Sequence, residues 1–444
     1  MSVDLANYIT VFNNILKNFY NLRSDFTGLR FDPSRILHLI VVIFITALFI
    51  IVYYLIGRKI RLVFFKNTSY KIFNSFIDIA LGYIFVNSGL AVLGTFSLLY
   101  RTILWAYIGI ILVLAFYSFR DLGNIRNVPL EVFKTIKNRI SNNKWVFIGT
   151  FLFVIIAFLR LIPPEIGEDA IGYHTSDPHL FLENRTMMLP PKSSTVALLT
   201  PHLGEMSYML SEFVGFKDVS RHVHFSFYFL IVILLFLIQP YSALFFVTAP
   251  VVIQVSSKAN VDFQWILCWL LSIFLITRYK LKGTKEVMLI GILFGGVLAS
   301  KLWTIAFFPV FILYLLIIHK KFDFGQKLTI ILTFSLSIFL IDAVWLWRSF
   351  IISGSPVYPA FSLLSAGNVI GFNSLMFHIK NISVFSPLFF LGIVAFLFNW
   401  RNALNTLIKF RLSLFFVILA LEYLLIQYHF GRYLLGLYLS LIHI

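Results

Sequence analysis

The sequence predicts an all-α fold, a polytopic bundle of transmembrane helices with about 11 to 13 membrane spans. Hydrophobic residues make up 59% of the 444 residues, and charged residues make up only 12%. A soluble protein of this length would need more polar surface than that composition supplies. Several apolar stretches, among them residues 36–56 and 328–347, reach the length of about 20 residues that one membrane span requires.

The positions of the basic residues predict which way the helices run. The formal net charge is +17, and in a membrane protein such an excess marks cytoplasmic loops rather than a nucleic-acid-binding surface. With the basic stretches 58–71, 120–144, 278–285, 320–327 and 401–411 inside, the chain starts outside and crosses about thirteen times. The predicted spans, some short enough to be half-helices, are residues 36–56, 72–94, 102–118, 145–162, 222–238, 242–256, 260–277, 286–300, 302–318, 328–347, 383–399, 412–428 and 432–444.

The longest segment predicted on the outer face, residues 163–221, carries a large share of the acidic residues. These carboxylates are Glu165, Glu168, Asp169, Asp177, Glu183, Glu205, Glu212 and Asp218. Within the segment, residues 201–214 place their apolar side chains on one helical stripe, with Glu205 and Glu212 largely off it. This pattern predicts a short interfacial helix that lies on the membrane.

The sharpest pattern in this segment is Glu168 and Asp169, followed closely by Tyr173 and His174. A carboxylate near the membrane has its pKa raised by desolvation and by a like-charged neighbour, so it can accept a proton from a hydroxyl group. The same residues also fit a solvated acidic turn with a capping aspartate. Spacing alone favours the solvated turn, and the catalytic interpretation stays open beside it.

No cofactor is predicted. His174, His179 and Asp177 are close enough in sequence to bind a divalent metal ion, but two histidines and a carboxylate without a fixed scaffold are weak support for one. The single cysteine, Cys268, lies in an apolar run. A disulfide and a cysteine-ligated zinc site are therefore excluded.

Ionisable residues at membrane depth are candidate functional residues, because placing a charge in lipid is unfavourable. In the predicted topology, Asp262, Lys301, Asp342, Arg348 and Arg432 all lie toward the outer leaflet. Asp262 and Asp342 either line a cavity or cap a helix, and Lys301 either lines that cavity or extends to the interface. The guanidinium groups of Arg348 and Arg432 suit a lipid phosphate.

The chain resembles the C superfamily of glycosyltransferases, the polytopic group that includes protein mannosyltransferases and the lipid A aminoarabinose transferase. The resemblance lies in six stretches that follow in order: GEDAIGYHTSDPHLFLEN (167–184), TPHLGEMSYMLSEFVG (200–215), SSKANVDFQWILCWLLSIFLI, GILFGGVLASKLWTIAFFPVFILY, WLWRSFIISGSPVYP and GRYLLGLYLSL. It divides the chain into extra N-terminal helices, residues 1–144, and a glycosyltransferase-C-like module, residues 145–444.

The resemblance implies transfer of a sugar from a polyprenyl-phosphate donor to an acceptor glycan, lipid or protein, at the outer face of a bacterial or archaeal plasma membrane. Asp169, or Glu168, would be the catalytic base. Arg348, Arg432 and Lys301 would bind the donor phosphate. A single displacement with one base would invert the anomeric carbon. The substrate pocket would be lined by Tyr173, His174, Asp262 and Glu205.

Two other functions stay open. A lipid-linked oligosaccharide polymerase or ligase shares the lipid-linked substrate, but it would place its working arginines in a large late loop. A transporter or flippase would show two related halves and acids deep in mid-span. The sequence shows no such repeat, and its acids gather in the early loop.

Overall fold

The protein is α-helical throughout the part that the computed structural model describes, which comprises residues 33–65, 71–120, 128–163, 165, 167, 169–189, 200–278, 283–318 and 323–356. These residues form 14 α-helices and no β-strand, so the predicted all-α fold is confirmed. A π-helical turn (Ala170–His174) and a 3-10 helix (Leu302–Phe307) complete the secondary structure of these ranges. The α-helices are α1 (Pro33–Phe64), α2 (Lys71–Thr95), α3 (Arg101–Arg120), α4 (Val128–Asn142), α5 (Lys144–Leu159), α6 (Ser176–Asn184), α7 (Glu205–Phe213), α8 (Val219–Ile238), α9 (Pro240–Val247), α10 (Pro250–Ser256), α11 (Asp262–Arg278), α12 (Thr284–Ser300), α13 (Phe308–Ile318) and α14 (Phe324–Ser353).

Five of these helices, namely α1, α2, α3, α8 and α14, are long and apolar enough to cross a membrane. The pair α4 and α5 is bent by 109° and adds a sixth crossing if it forms one broken span. The chain is therefore a multi-pass membrane protein. Three predicted spans, residues 383–399, 412–428 and 432–444, lie outside the described residues.

The predicted span 242–256 is not one continuous helix. α9 ends at Val247, and α10 begins at Pro250. Proline lacks a backbone N–H and its ring collides with the preceding turn, so one helix ends before it and another begins. The predicted span 302–318 is likewise irregular, because the 3-10 helix precedes α13.

The core is centred on α11 and α12. α12 is buried at every residue from Leu289 to Ser300 and packs against α11 and α14. Trp269 of α11 lies against the rings of Phe294 and Phe307. A helix that is apolar on all sides, as α12 is over these residues, lies in the middle of a bundle.

α1 and α2 pack so closely that their crossing requires glycine. A Cβ atom on Gly57 would lie 1.7 Å from the carbonyl oxygen of Asp78, and one on Gly82 would lie 1.8 Å from that of Tyr53. Any larger residue at these positions would push the two backbones apart. The N-terminal helices therefore form a tight pair.

Hydrogen bonds join this N-terminal pair to the later helices. Asn87 on α2 donates to the hydroxyl of Ser207 on α7 at 2.9 Å, and the Tyr53 hydroxyl lies 3.0 Å from the same oxygen. The hydroxyls of Tyr83 on α2 and Ser300 on α12 are 3.0 Å apart. Although the resemblance does not extend to residues 1–144, α1 and α2 share one core with the helices that follow.

The segment between α5 and α8, residues 160–218, contains the predicted short helix as α7. Its apolar stripe is buried at Met206 and Met209, as the pattern predicts. However, Glu205, Ser207 and Ser211 are also buried. α7 is thus largely enclosed by other parts of the protein, because Glu205, Ser207 and Ser211 have partners inside the bundle. Glu212 instead pairs with His179 near the surface.

Candidate functional site

The π-helical turn Ala170–His174 begins the site. Its closing hydrogen bond runs from the backbone N–H of Thr175 to the carbonyl of Ala170, at 2.9 Å. Asp169, which directly precedes the turn, is half-buried, whereas His174 at its end is buried. The two ends of the turn, Ala170 and His174, are buried, whereas Ile171 between them is exposed. Such wide turns are rare and occur often at functional sites.

Two histidines and two carboxylates meet below this turn, and we call them the acid–histidine cluster. Its members are His174 at the end of the turn, Asp177 on α6, His202 just before α7, and Glu205 at the start of α7. His174 Nδ1 lies 2.7 Å from Glu205 Oε1. His202 Nδ1 is 3.7 Å from the same oxygen, and His202 Nε2 is 3.8 Å from Asp177 Oδ2. None of the four side chains is more than 3% exposed.

The charges of the cluster fix the proton on His174. Burial lowers the pKa of His174 despite the neighbouring carboxylate. Burial alone would raise the pKa of Glu205, but His174 and His202 outweigh it and hold that pKa below its ordinary value. A neutral imidazole beside an ionised carboxylate must donate through Nδ1–H. His174 Nε2 is then an acceptor, and it has no hydrogen-bond partner among the described residues.

The pKa of Asp177 is shifted in the opposite direction from that of Glu205. Burial raises its pKa to about 6, while His202 and Arg348 act in the opposite direction. Its Oδ2 atom has no hydrogen-bond partner within the described ranges, and the same holds for both ring nitrogens of His202. The cluster therefore contains several polar atoms that are removed from solvent without being satisfied.

A second charged pair lies beside the cluster. Lys301, between α12 and the 3-10 helix, places Nζ 3.9 Å from Oδ1 of Asp262, the first residue of α11. Both are buried. They act on the pKa of His174 in opposite directions, Lys301 lowering it and Asp262 raising it. The pair and the cluster are thus electrostatically coupled.

A chain of neutral hydrogen bonds runs next to this pair. Gln264 on α11 accepts from His224 Nδ1 on α8 and donates to the Tyr208 hydroxyl on α7, each at 2.9 Å. The Tyr208 hydroxyl donates in turn to the carbonyl of Asn260. This chain fixes α7, α8 and α11 relative to one another around the buried charges.

Arg348 on α14 holds the 160–218 segment from the side of the bundle. Its guanidinium donates to the carbonyl of Met187 at 2.8 Å and to that of Thr200 at 3.3 Å. It also lies over the ring of Phe181, 5.6 Å from the ring centre. The side chain is buried. In this position Arg348 restrains the backbone on either side of residues 190–199.

Arg221 on α8 has a similar role at the start of the segment. It donates to the carbonyls of Arg160, Pro163 and Ser257. Its Nε also lies 3.6 Å from Glu165 Oε2. Because the arginine side chain has five N–H donors in a rigid fork, it can hydrogen-bond to several irregular backbone segments at once.

The structure brings together five of the predicted site residues: Tyr173, whose ring lies 4.1 Å from that of His174, and then His174, Glu205, Asp262 and Lys301. Asp169 lies at the edge of this group, and Arg348 contacts backbone carbonyls. Glu168 and Arg432 lie outside the described residues.

Two members of the site, His202 and His224, were not predicted from the sequence. His202 precedes Glu205 by three residues, a spacing that places both on one side of a helical turn. His224 is a buried residue of the apolar helix α8. The sequence does not distinguish such a histidine from any other buried polar residue. Its function as a partner of Gln264 becomes visible only when α8 and α11 are packed together.

The residues considered for a metal ion are separated in space. His174 turns inward to Glu205, whereas His179 contacts Glu212 at 2.6 Å and Glu183 at 3.0 Å. In the part of the chain that the structure describes, no three histidine, cysteine or carboxylate side chains are arranged to hold a metal ion.

The resemblance to the C superfamily stays a prediction, carried by this chain's own residues. The arrangement supplies a half-buried carboxylate, a buried histidine with a free acceptor nitrogen and a buried ammonium group within one part of the fold. No protein-family model, curated protein or solved structure gives a significant match to the chain.

Proposed function

We propose that this protein is a membrane glycosyltransferase. It would move a sugar from a polyprenyl-phosphate donor to a hydroxyl group of a glycan, lipid or protein at the extracytoplasmic face of a bacterial or archaeal plasma membrane. One observation carries the proposal: the 160–218 segment packs against the backbone next to the buried Asp262–Lys301 pair. Leu203 donates to the carbonyl of Ala299 at 3.0 Å, and Glu165 accepts from the backbone N–H of Ala259 at 2.7 Å. Unfavourable charges gathered at membrane depth are typical of a substrate site.

Asp169 is the proposed general base. It is the carboxylate of the site that lies nearest the surface, since the cluster below it is almost fully enclosed. As the acceptor oxygen bonds to the anomeric carbon, the bond from that carbon to the phosphate oxygen breaks, and Asp169 takes the hydroxyl proton. One displacement of this kind inverts the sugar. The His174–Glu205 pair would fix the π-helical turn that presents Asp169.

Lys301 is the proposed partner of the donor phosphate. Its ammonium group is only 3.9 Å from Asp262, which holds it in place without a short direct bond. A fixed cation in a water-poor site offsets the charge that gathers on the phosphate as it leaves. Arg348, which is occupied with backbone carbonyls, and Arg432 remain candidates for the same function.

The test begins with mass spectrometry of the lipids that copurify with the protein in mild detergent, which identifies the donor. Turnover of that polyprenyl-phosphate sugar is then compared between the parent protein and Asp169→Asn, which keeps the shape of the side chain but removes its charge. We expect turnover to fall about a hundredfold or more, with unchanged membrane insertion.

Glu183→Gln is the matched control, because Glu183 is an exposed carboxylate of the same segment. It should retain turnover. If Asp169→Asn turns over the donor as fast as this control does, Asp169 is not the base. If no polyprenyl-phosphate sugar copurifies or turns over, the proposed function itself fails.

A further inference from the structure

A cavity of about 220 Å³ lies between α14 and the region where α12 leads into the 3-10 helix and α13. Its walls are almost entirely apolar and include Leu298, Leu302, Ile305, Phe308, Ile338 and Phe339. Phe339 is exposed and marks the rim. Because α14 is one of the helices that can cross the membrane, a lipid can reach this rim.

Four residues with polar side-chain groups interrupt the apolar wall: Ser335, Asp342, Trp345 and Ser349. Asp342 and Trp345 are three residues apart on α14, so they lie on the same side of the helix. Asp342 is 6% exposed and Trp345 is 3% exposed. Asp342 Oδ2 and Trp345 Nε1 have no hydrogen-bond partner in the part of the chain that the structure describes. In contrast, the hydroxyl of Ser349, which also lines the cavity, donates to the carbonyl of Ser355.

Leaving these two atoms unsatisfied is unfavourable. A buried polar atom without a partner costs about 1–3 kcal/mol, and the hydrocarbon part of a membrane offers no water in exchange. Two such atoms, on side chains that are one turn apart and line the same small cavity, would both be satisfied by one ligand that bonds to them. Asp342 and Trp345 both belong to the lining of the cavity.

The two atoms restrict the chemistry of that ligand. The indole N–H only donates, whereas a carboxyl group accepts when ionised and also donates when protonated. A hydroxyl group accepts from the indole and bonds to the carboxyl group in either state. An ammonium group cannot accept from the indole, and a phosphate would be repelled by an ionised carboxylate. A free sugar would leave most of its hydroxyls against apolar walls without partners.

We propose that this cavity binds the hydroxyl end of a lipid alcohol, with the hydroxyl between Asp342 and Trp345 and the chain along the apolar wall toward Phe339. The volume is below the roughly 300–1,000 Å³ of a pocket that encloses a drug-sized ligand. The cavity therefore holds the polar end and the first part of the chain, and the remainder lies in the membrane. This site adjoins the acid–histidine cluster, because the ring centres of Trp345 and His202 are 6.4 Å apart, but binding of a lipid alcohol here requires no sugar donor.

The experiment uses the full chain in mild detergent and two photoreactive probes, a diazirine analogue of farnesol and one of hexadecanol. Labelling of α14 is measured by peptide mass spectrometry, with unlabelled farnesol, farnesyl phosphate and the matched hydrocarbon as competitors. We expect farnesol to compete far better than the hydrocarbon or the phosphate. Labelling by both probes assigns the site to any flexible lipid alcohol, and labelling by the farnesol analogue alone assigns it to isoprenoid alcohols.

Substitutions separate the hydrogen bonds from the packing. Trp345→Phe keeps an aromatic ring but removes the N–H, and we expect it to weaken farnesol binding about tenfold, the effect of losing one hydrogen bond. Trp347→Phe is the matched control, because Trp347 lies two residues away on the exposed side of α14, and it should bind normally. Asp342→Leu, which removes the other polar group, should weaken binding to a similar degree and serves if Trp345→Phe does not fold.

Three results would overturn the proposal. The first is equal competition by the hydrocarbon and by farnesol, which would make the site a nonspecific apolar groove. The second is stronger competition by farnesyl phosphate, which would mean that the site takes an anionic lipid. The third is equal binding by the folded cavity variants and the Trp347→Phe control. Because each readout is binding without a sugar donor, none of them depends on glycosyl transfer.

Discussion

The Arg61–Asp78 ion pair between α1 and α2 and the acid–histidine cluster are both buried, but their polar atoms are satisfied to different degrees. Arg61 donates to both carboxylate oxygens of Asp78, from Nε at 2.5 Å and from Nη2 at 3.0 Å. In the cluster, only the contact between His174 and Glu205 is a short hydrogen bond. The contacts of His202 are 3.7 and 3.8 Å long.

This difference separates a structural use of charge from a functional one. A bidentate pair with both acceptor oxygens engaged is rigid, and it joins two helices that already require glycine at their crossing. The cluster keeps free acceptor and donor positions on His174, His202, Asp177 and Glu205. Unsatisfied atoms do not favour the folded state, so their presence is expected where a substrate or a bound water completes the bonding.

The largest effect on stability should come from breaking the structural pair. Asp78→Leu removes the carboxylate that accepts both hydrogen bonds from the buried Arg61. We expect the free energy of unfolding to fall by about 3–5 kcal/mol, measured by denaturation in mild detergent. The double variant Arg61→Met with Asp78→Leu should recover most of this loss, because neither charge is left buried. A double variant as unstable as the single one would contradict the structural interpretation.

A somewhat smaller effect is expected from the cluster, and it depends on pH. The pKa of Asp177 is about 6 in the folded protein and 3.8 in its ordinary state. Between these values the folded state keeps a proton that the unfolded chain has lost, so the free energy of unfolding falls as pH rises from about 4 to about 6. The difference corresponds to about 3 kcal/mol.

Asp177→Asn removes this titration. The stability of the variant relative to the parent protein should therefore increase from pH 4 to pH 7 by up to about 3 kcal/mol, measured as denaturation midpoints across that range. Glu183→Gln controls for the loss of one negative charge, since Glu183 is exposed. If both variants follow the same course with pH, the environment assigned to Asp177 is wrong.

The long helices were predictable because hydropathy accumulates along the sequence. α1, α2, α3, α8 and α14 each correspond to one continuous predicted span. The predicted span 242–256 failed because averaging over an apolar window hides a single proline, whereas the backbone of Pro250 cannot continue the helix that precedes it. A helix boundary that depends on one residue is therefore harder to predict than a helix whose hydropathy is summed over about twenty residues.

The site was predictable only in part, because its members meet by tertiary packing. Asp262 and Lys301 were predicted as unfavourable charges, and His174 and Glu205 as residues of the substrate pocket, but nothing local indicates that His174 pairs with Glu205 or Asp262 with Lys301. Arg348 was selected from the sequence, but its contacts with backbone carbonyls were not predicted. Its guanidinium suits phosphate and backbone carbonyls equally well, and only the positions of Met187 and Thr200 reveal that it holds the chain.

The smallest effect is expected at a second histidine–carboxylate pair of the same segment, which lies at the surface. The His179 side chain is 45% exposed, although its contact with Glu212, at 2.6 Å, is as short as that between His174 and Glu205. Because water and salt screen an exposed pair, His179→Ala should lower the free energy of unfolding by less than about 1 kcal/mol. His174→Ala should lower it by about 2–3 kcal/mol, since it leaves the buried Glu205 carboxylate without its closest donor. Denaturation of the two variants under one condition tests this, and equal losses would mean that burial does not distinguish the cluster from an ordinary surface pair.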